Sequence, residues 1–373
     1  MIKNWIITFL SLAVSGFVLY HLEVFENLNY AGRDERSQHS EKRTKTVRKT
    51  PDFVVGSVYD SKDIPAAEAV KGAMLASEIL QSGGKSVKYV TFPDCKKRPE
   101  AAAALQKLCA DYRVSAILGP GNSELLASLR AISQFYALPL ISPVTVRQDK
   151  LPPLENDNYV SFFPSLEKWV DAILAHMKEK NIKKILIITP GDGTYGEMFS
   201  SVLERNSKDI LDDCQVYRIT YPHPLRASYF NNSLTNYGGQ HQVDAIFFGG
   251  VADELPELIQ ILKNHNINLP VYVSDDIIRN EIKNPQEIAF KLFLPEAEVT
   301  VSNSKWLDLY VKKYKVQPSY HAILGAETMF AMAEKYNSST YTPETFVQKM
   351  EQSAGAFSEK IKIKMIDFSA GRL

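Results

Sequence analysis

Three short stretches carry residues that could hold a small polar molecule. Gly119-Pro120-Gly121-Asn122-Ser123 follows an apolar run and opens a helical one. Free backbone N–H groups and the positive end of a helix dipole would meet an anion there. Asn122 belongs to this loop, and Ser123 supplies a hydroxyl at the helix start. A serine in that place is equally what a simple N-cap requires. Ser142-Pro143-Val144-Thr145 ends the next apolar strand, at the carboxyl edge where α/β sheets bind ligands, and Thr145 adds a second hydroxyl. Asp276, just past the apolar segment Leu269–Ser274, is placed to receive an ammonium. Two hydroxyls and a helix terminus suit a carboxylate, and one acid suits an amine. Together they describe a site for an amino-acid-like ligand.

Other chemistries find less support. Gly191-Asp192-Gly193-Thr194-Tyr195-Gly196 has the spacing of a dinucleotide loop, but the following strand ends Ile219-Thr220-Tyr221-Pro222 without the carboxylate that would hold a ribose. It is read as a glycine-rich strand-to-helix turn. No nucleophile elbow, phosphate-binding loop, HExxH or calcium loop occurs, and the seven histidines lack metal-ligand spacing. Cys95, Cys109 and Cys214 are an odd number without CxxC spacing, so neither zinc nor a disulfide framework is signalled. Adjacent Asp275 and Asp276 on an extended strand end would point opposite ways, which argues against joint acid–base work. No catalytic residue, cofactor or metal is expected. Lys plus Arg (43) balances Asp plus Glu (43), which removes the electrostatic argument for a nucleic-acid partner.

The elements that must position the site are legible from periodicity. Short apolar strands at Phe53–Tyr59, Ser86–Phe92, Val114–Leu118 and Leu138–Ser142 alternate with helices at Pro65–Gln81, Pro99–Tyr112 and Ser123–Tyr136. The alternation restarts with a helix at Leu166–Lys180 and strands at Lys183–Thr189, Cys214–Tyr221, Val243–Gly250 and Leu269–Ser274. Such alternation predicts parallel sheets covered on both faces. The fold class is therefore α/β, with two doubly wound parallel-sheet lobes around a hinged cleft. The first lobe is expected over 51–158 with about 296–336 returning to it. The second is expected over 159–295 with about 337–373 returning.

The amino terminus differs. Trp5–Tyr20 is sixteen residues without a charge, preceded by Lys3. It suits an uncleaved membrane anchor over 1–24, or a secretory signal with Ala13-Val14-Ser15 as cleavage site. Residues 25–50 carry few apolar and many charged side chains, which predicts a solvated tether.

Several blocks resemble the type I periplasmic binding proteins, specifically the branched-chain amino-acid receptors of ABC transporters. GSVYDSKDIPAAEAVKGAMLASEIL (56–80) is similar to their opening strand, ligand loop and G-x-x-x-A helix. VSAILGPGNSELLASL (114–129) with LPLISPVT (138–145) resembles their GP…S…PLISP block. DGTYGEMF (192–199), VDAIFFGG (243–250) and ILGAETMFAMAE (323–334) resemble their D-x-x-YG turn, second-lobe strand and late helix. The resemblance implies that Ser123 and Thr145 hydrogen-bond a ligand α-carboxylate. It also implies that Asp276 pairs with the α-ammonium, aided by the Val144 carbonyl. The expected protein is an extracytoplasmic, periplasmic receptor that clamps an amino-acid-like ligand and serves a membrane permease, tethered to the inner membrane by its N-terminal segment. The alternative is a membrane-tethered regulatory or scaffold module of the same fold, with an envelope protein as partner.

Overall fold

The computed structural model describes residues 53–368, except 120, 122, 146–156, 192–194, 231–233, 235–242, 278–281, 283–287 and 289. The expected membrane segment and charged tether lie outside the described residues. Among those described, no helix is long and apolar enough to cross a membrane.

A first sheet forms from β1 (Phe53–Val58), β2 (Val87–Phe92), β3 (Ala116–Leu118), β4 (Leu140–Ser142) and β5 (Tyr159–Ser161), in the order β2-β1-β3-β4-β5, all parallel. Helices α1 (Ile64–Ser82), α2 (Arg98–Tyr112) and α3 (Ser123–Phe135) make its crossovers. After α4 (Leu166–Glu179), a second sheet contains β6 (Lys184–Pro190), β7 (Gln215–Tyr221), β8 (Ala245–Phe248), β9 (Val271–Val273), β10 (Leu292–Glu298) and β11 (Lys362–Phe368). Its order is β11-β10-β9-β8-β6-β7. Helices α5 (Tyr195–Ile210) and α6 (Leu255–Asn264) cross over within it.

The strands are apolar on both faces because both faces are covered. In β1, Phe53 and Val55 join one buried cluster while Val54 and Val58 join another. In β6, Ile185 and Ile187 share the first cluster, whereas Leu186 and Ile188 belong to a third. The period-two alternation of a strand thus sends successive side chains into different cores. The shared cluster, which includes Trp169, Trp306 and Phe162, runs across residues of both sheets.

The second sheet departs from the all-parallel expectation, since β10 and β11 pair antiparallel at its edge. Strand β10 also escapes sequence reading because Pro295 and two glutamates interrupt its apolar pattern. Within β10 only Leu292 and Phe293 pair with β9, so beyond them β10 has β11 alone as neighbour and a proline is tolerated. β5 pairs with β4, so the first sheet extends past residue 158.

Three late helices follow β10: α7 (Ser304–Tyr314), α8 (Tyr320–Lys335) and α9 (Pro343–Ser358). α7 and α8 pack on α1, while α9 packs on β5. The α1–α8 contact is unusually close. A Cβ at Gly72 would lie 1.8 Å from the Ala322 carbonyl oxygen, and one at Gly325 would lie 2.0 Å from that of Ala69. Trp306 of α7 closes the seam, its indole N–H donating to the Gly72 carbonyl at 3.2 Å.

Candidate functional site

In a doubly wound sheet, neighbouring strands whose crossovers leave in opposite directions open a crevice at their carboxyl ends. The first sheet has this point between β1 and β3, and the second has it between β6 and β8. Segments following these strands line one cavity of about 500 Å³. Asp60 and Gly121 reach it from the first sheet, Pro190 and Gly249 from the second.

On the first sheet's side, Ser142 ends β4 and its Oγ accepts the backbone N–H groups of Val144 (3.3 Å) and Thr145 (3.0 Å). That turn fixes both residues at the cavity wall. The Thr145 carbonyl accepts hydroxyls from Ser161 at 2.8 Å and from Tyr159, tying the segment to β5. Asp63 caps α1 by accepting the Ala66 N–H at 3.1 Å. Gly121 is required where α1 approaches, because a Cβ there would lie 2.3 Å from that of Ala66.

On the other side, β9 ends at Val273 and the chain turns at once, the Ile277 N–H donating to the Ser274 carbonyl at 3.2 Å. Asp275 and Asp276 are the central residues of that turn, so both reach the cavity. The expectation that they diverge assumed an extended strand that the chain does not form. Asp276 is exposed and Asp275 is 5% exposed. The Tyr195 hydroxyl donates to Asp275 Oδ1 at 2.8 Å. Burial pushes the Asp275 carboxyl up to about 7, partly offset by the Tyr195 hydrogen bond.

Glu254 forms a further anchor. Its carboxylate accepts the Tyr221 hydroxyl (2.7 Å) and the N–H groups of Leu225 (2.6 Å) and Val251 (3.4 Å), and it meets His223 Nδ1 at 3.0 Å. Glu254→Ala would leave buried donors unmatched. It is expected to cost about 2–3 kcal/mol, read as a lower urea midpoint at unchanged slope. An unmoved midpoint would show that water replaces the carboxylate freely.

His321 completes the wall. It is 3% exposed, its ring is parallel to that of Phe163 within 3°, and burial lowers its imidazole to about 3, so it is neutral. Gly196, the last glycine of the G-x-G-x-x-G pattern and the second residue of α5, has a packing role, since a Cβ there would lie 1.7 Å from the Gly249 carbonyl oxygen.

Of the residues expected from sequence, Val144, Thr145 and Asp276 line this one cavity. Asn122 and the side chain of Ser123 lie outside the described residues, although Ser123 begins α3 and Gly121 lines the cavity. Motif and spacing do not single out Asp275, Glu254 or His321 as ligand groups. These gather only through the turn after β9, the α6 entry and the α8 start. Tyr195 belongs to the DGTYGEMF block, but no sequence signal pairs it with Asp275. Among the described residues no cluster of three or more metal-ligating side chains occurs, and all three cysteines are free thiols.

Two wound α/β sheets whose carboxyl ends share a cavity define a cleft-type binding fold. The chain matches the family model described as periplasmic binding protein over residues 61–364 and belongs to that family. No curated protein sequence matches it. Similar solved structures include the branched-chain amino acid transporter substrate binding protein LivJ from Streptococcus pneumoniae in complex with isoleucine. That protein is 20% identical, with a TM-score of 0.64 over 80% of this chain and 87% of that one. An ABC transporter substrate-binding protein from Desulfitobacterium hafniense in complex with Leu is 15% identical, with a TM-score of 0.66 over 81% and 89%. The leucine binding protein LivK from Thermotoga maritima is 15% identical, with a TM-score of 0.63 over 80% and 87%. At these identities the likeness speaks for the fold.

Proposed function

We propose that the protein is an extracytoplasmic solute-binding receptor that clamps a small amino-acid-like ligand between two lobes and delivers it to an ABC-type permease. The observation carrying this reading is the cavity lined by Val144 and Thr145 from one sheet and by Asp276 from the other. Family membership and the ligands named for similar structures, isoleucine and leucine, support it.

In this reading the helix start at Ser123 and the Thr145 hydroxyl hold the ligand α-carboxylate, with Asn122 in the same loop. Asp276, with the Val144 carbonyl, receives the α-ammonium. Closure brings the two halves of the site together, expels water and strengthens each charged hydrogen bond. Such bonds contribute roughly 1.5–3 kcal/mol each. The closed lobes would present a composite surface to the permease. The N-terminal apolar segment would hold the receptor at the membrane, and the crossing between lobes, expected near residue 158, would follow β5 at Ser161. Nothing in this cycle requires chemistry on the ligand.

The test is calorimetric titration of the full chain with the twenty amino acids, preceded by a thermal-shift screen, since a ligand binding only the folded state raises the melting temperature. Asp276→Ala is expected to weaken the best ligand by about tenfold or more. Unchanged affinity would remove Asp276 from the site. Silence from every compound, in folded protein free of retained ligand, would turn the assignment toward a regulatory scaffold.

A further inference from the structure

Charge and aromatic character in the cavity go beyond what an aliphatic amino acid needs. Five carboxylates line it: Asp60, Asp63, Glu254, Asp275 and Asp276. Lys96 is the sole lysine or arginine among the described lining residues. Three of the acids are anchored by neutral donors. Asp60 accepts the Lys62 backbone N–H at 3.0 Å, Asp63 caps α1, and Asp275 takes the Tyr195 hydroxyl. These hydrogen bonds hold the acids in place, and burial raises the Asp275 carboxyl to about 7, so it takes its full charge when a cation offsets the cost. Glu254 meets His223, which is half exposed.

A second, independent observation comes from the aromatic wall. His321 lines the cavity while 3% exposed, and its ring nitrogens have no hydrogen-bond partner among the described residues. Its ring nitrogens are not sealed from solvent, so the cavity is where a ligand would meet them. Phe163 stacks on it, and the ring of Tyr195 lines the same cavity. Aromatic faces next to carboxylates in a partly desolvated cavity attract organic cations by quadrupole and Coulomb terms together.

We propose that this cleft selects an amino-acid-like ligand with a second cationic group, an ammonium or guanidinium on its side chain, over a neutral aliphatic one. The proposal rests on the receptor reading above. Asp276 takes the α-ammonium, and the distal cation lies among Asp275, Glu254 and the rings of Phe163, Tyr195 and His321. A leucine-like side chain in the same place would set hydrocarbon against those acids and offer them no charge of opposite sign.

The experiment titrates the full chain calorimetrically with L-lysine, L-arginine, L-leucine and 1,4-diaminobutane, at low and high salt. Lysine or arginine is expected to bind about tenfold or more tightly than leucine. High salt should erode that preference, because screening weakens the charge pairing. Asp275→Asn should narrow the lysine-to-leucine gap while leucine affinity moves little. Glu254→Gln, which keeps an acceptor oxygen, provides a second variant should Asp275→Asn fail to fold.

Leucine binding as tightly as lysine, or with lysine silent, overturns the charge preference and leaves the receptor reading standing. Diaminobutane binding without lysine binding supports the two-cation selection and removes the α-carboxylate from the receptor reading. Silence from all four compounds in folded protein overturns the two-cation selection, and the receptor reading then stands or falls on the titration with the twenty amino acids.

Discussion

Replacing Gly72 by valine is expected to lower the melting temperature by roughly 10 °C or more, or to prevent recovery of folded protein. The obstacle is backbone: a Cβ at this position would lie 1.8 Å from the Ala322 oxygen and 2.7 Å from its carbonyl carbon. No side-chain rotation relieves that contact. The helices would have to separate along a seam where Ala69, Ala73, Ala76, Ala322 and Ala326 are all buried. Separation forfeits dispersion contacts across the whole interface and strains the Trp306 hydrogen bond to the Gly72 carbonyl. Overpacking typically costs about 1–3 kcal/mol. A clash with a fixed carbonyl belongs beyond that range, on the order of 4–5 kcal/mol. Gly355 supplies the control. Nothing lies within 4 Å of a Cβ built there, inside α9. Gly355→Ala should therefore stabilise by about 0.5–1 kcal/mol through the gain in helix propensity. A Gly72 variant melting like the parent would refute the close-packed seam.

The second large effect is a pair of opposing pH dependences from two buried groups of the cleft. Asp275 rises from 3.8 to about 7 in the folded chain. Between those values the native state holds a proton that the unfolded state has lost, so stability from this group falls as pH rises and its penalty is complete above about 7. His321 falls from 6.5 to about 3. Across that window the unfolded state binds the extra proton, so stability is intact above 6.5 and is lost progressively as pH falls toward about 3. Each contribution reaches a few kcal/mol at roughly 1.4 kcal/mol per unit.

Melting curves from about pH 4 to about pH 8 separate the two groups. Asp275→Asn should raise the melting temperature at the alkaline end and change little at the acid end. His321→Gln should do the reverse, over a constant loss from its packing against Phe163. An Asp275→Asn variant less stable at alkaline pH would mean that the carboxylate is solvated or paired there. The penalties fall on two residues that line the cavity, as expected where a protein holds polar groups ready for a ligand.

Much of the fold is legible in the order of residue types along the chain. Apolar strands such as Lys184–Pro190 and helices with one buried face declare themselves by period. β10 is the instructive failure. Its proline and glutamates break the pattern, and it exists because β11, arriving from some 70 residues later, pairs antiparallel with it. Loop positions at strand ends are legible too, because Ser142-Pro143-Val144-Thr145 terminates an apolar run with a turn residue and hydroxyls.

What the sequence determined by itself was the alternation of strand and helix, the wound α/β class, and the strand-end positions of Val144, Thr145 and Asp276. These follow from local chemistry: side-chain periodicity, capping groups and turn formers act over a few residues. The tertiary structure alone decided that Asp275 turns inward beside Asp276, that Tyr195 meets it across 80 residues, and that His321 joins the same wall. Those outcomes depend on where β9 stops and how closely α8 lies on α1. Both are settled by packing between segments far apart in the chain.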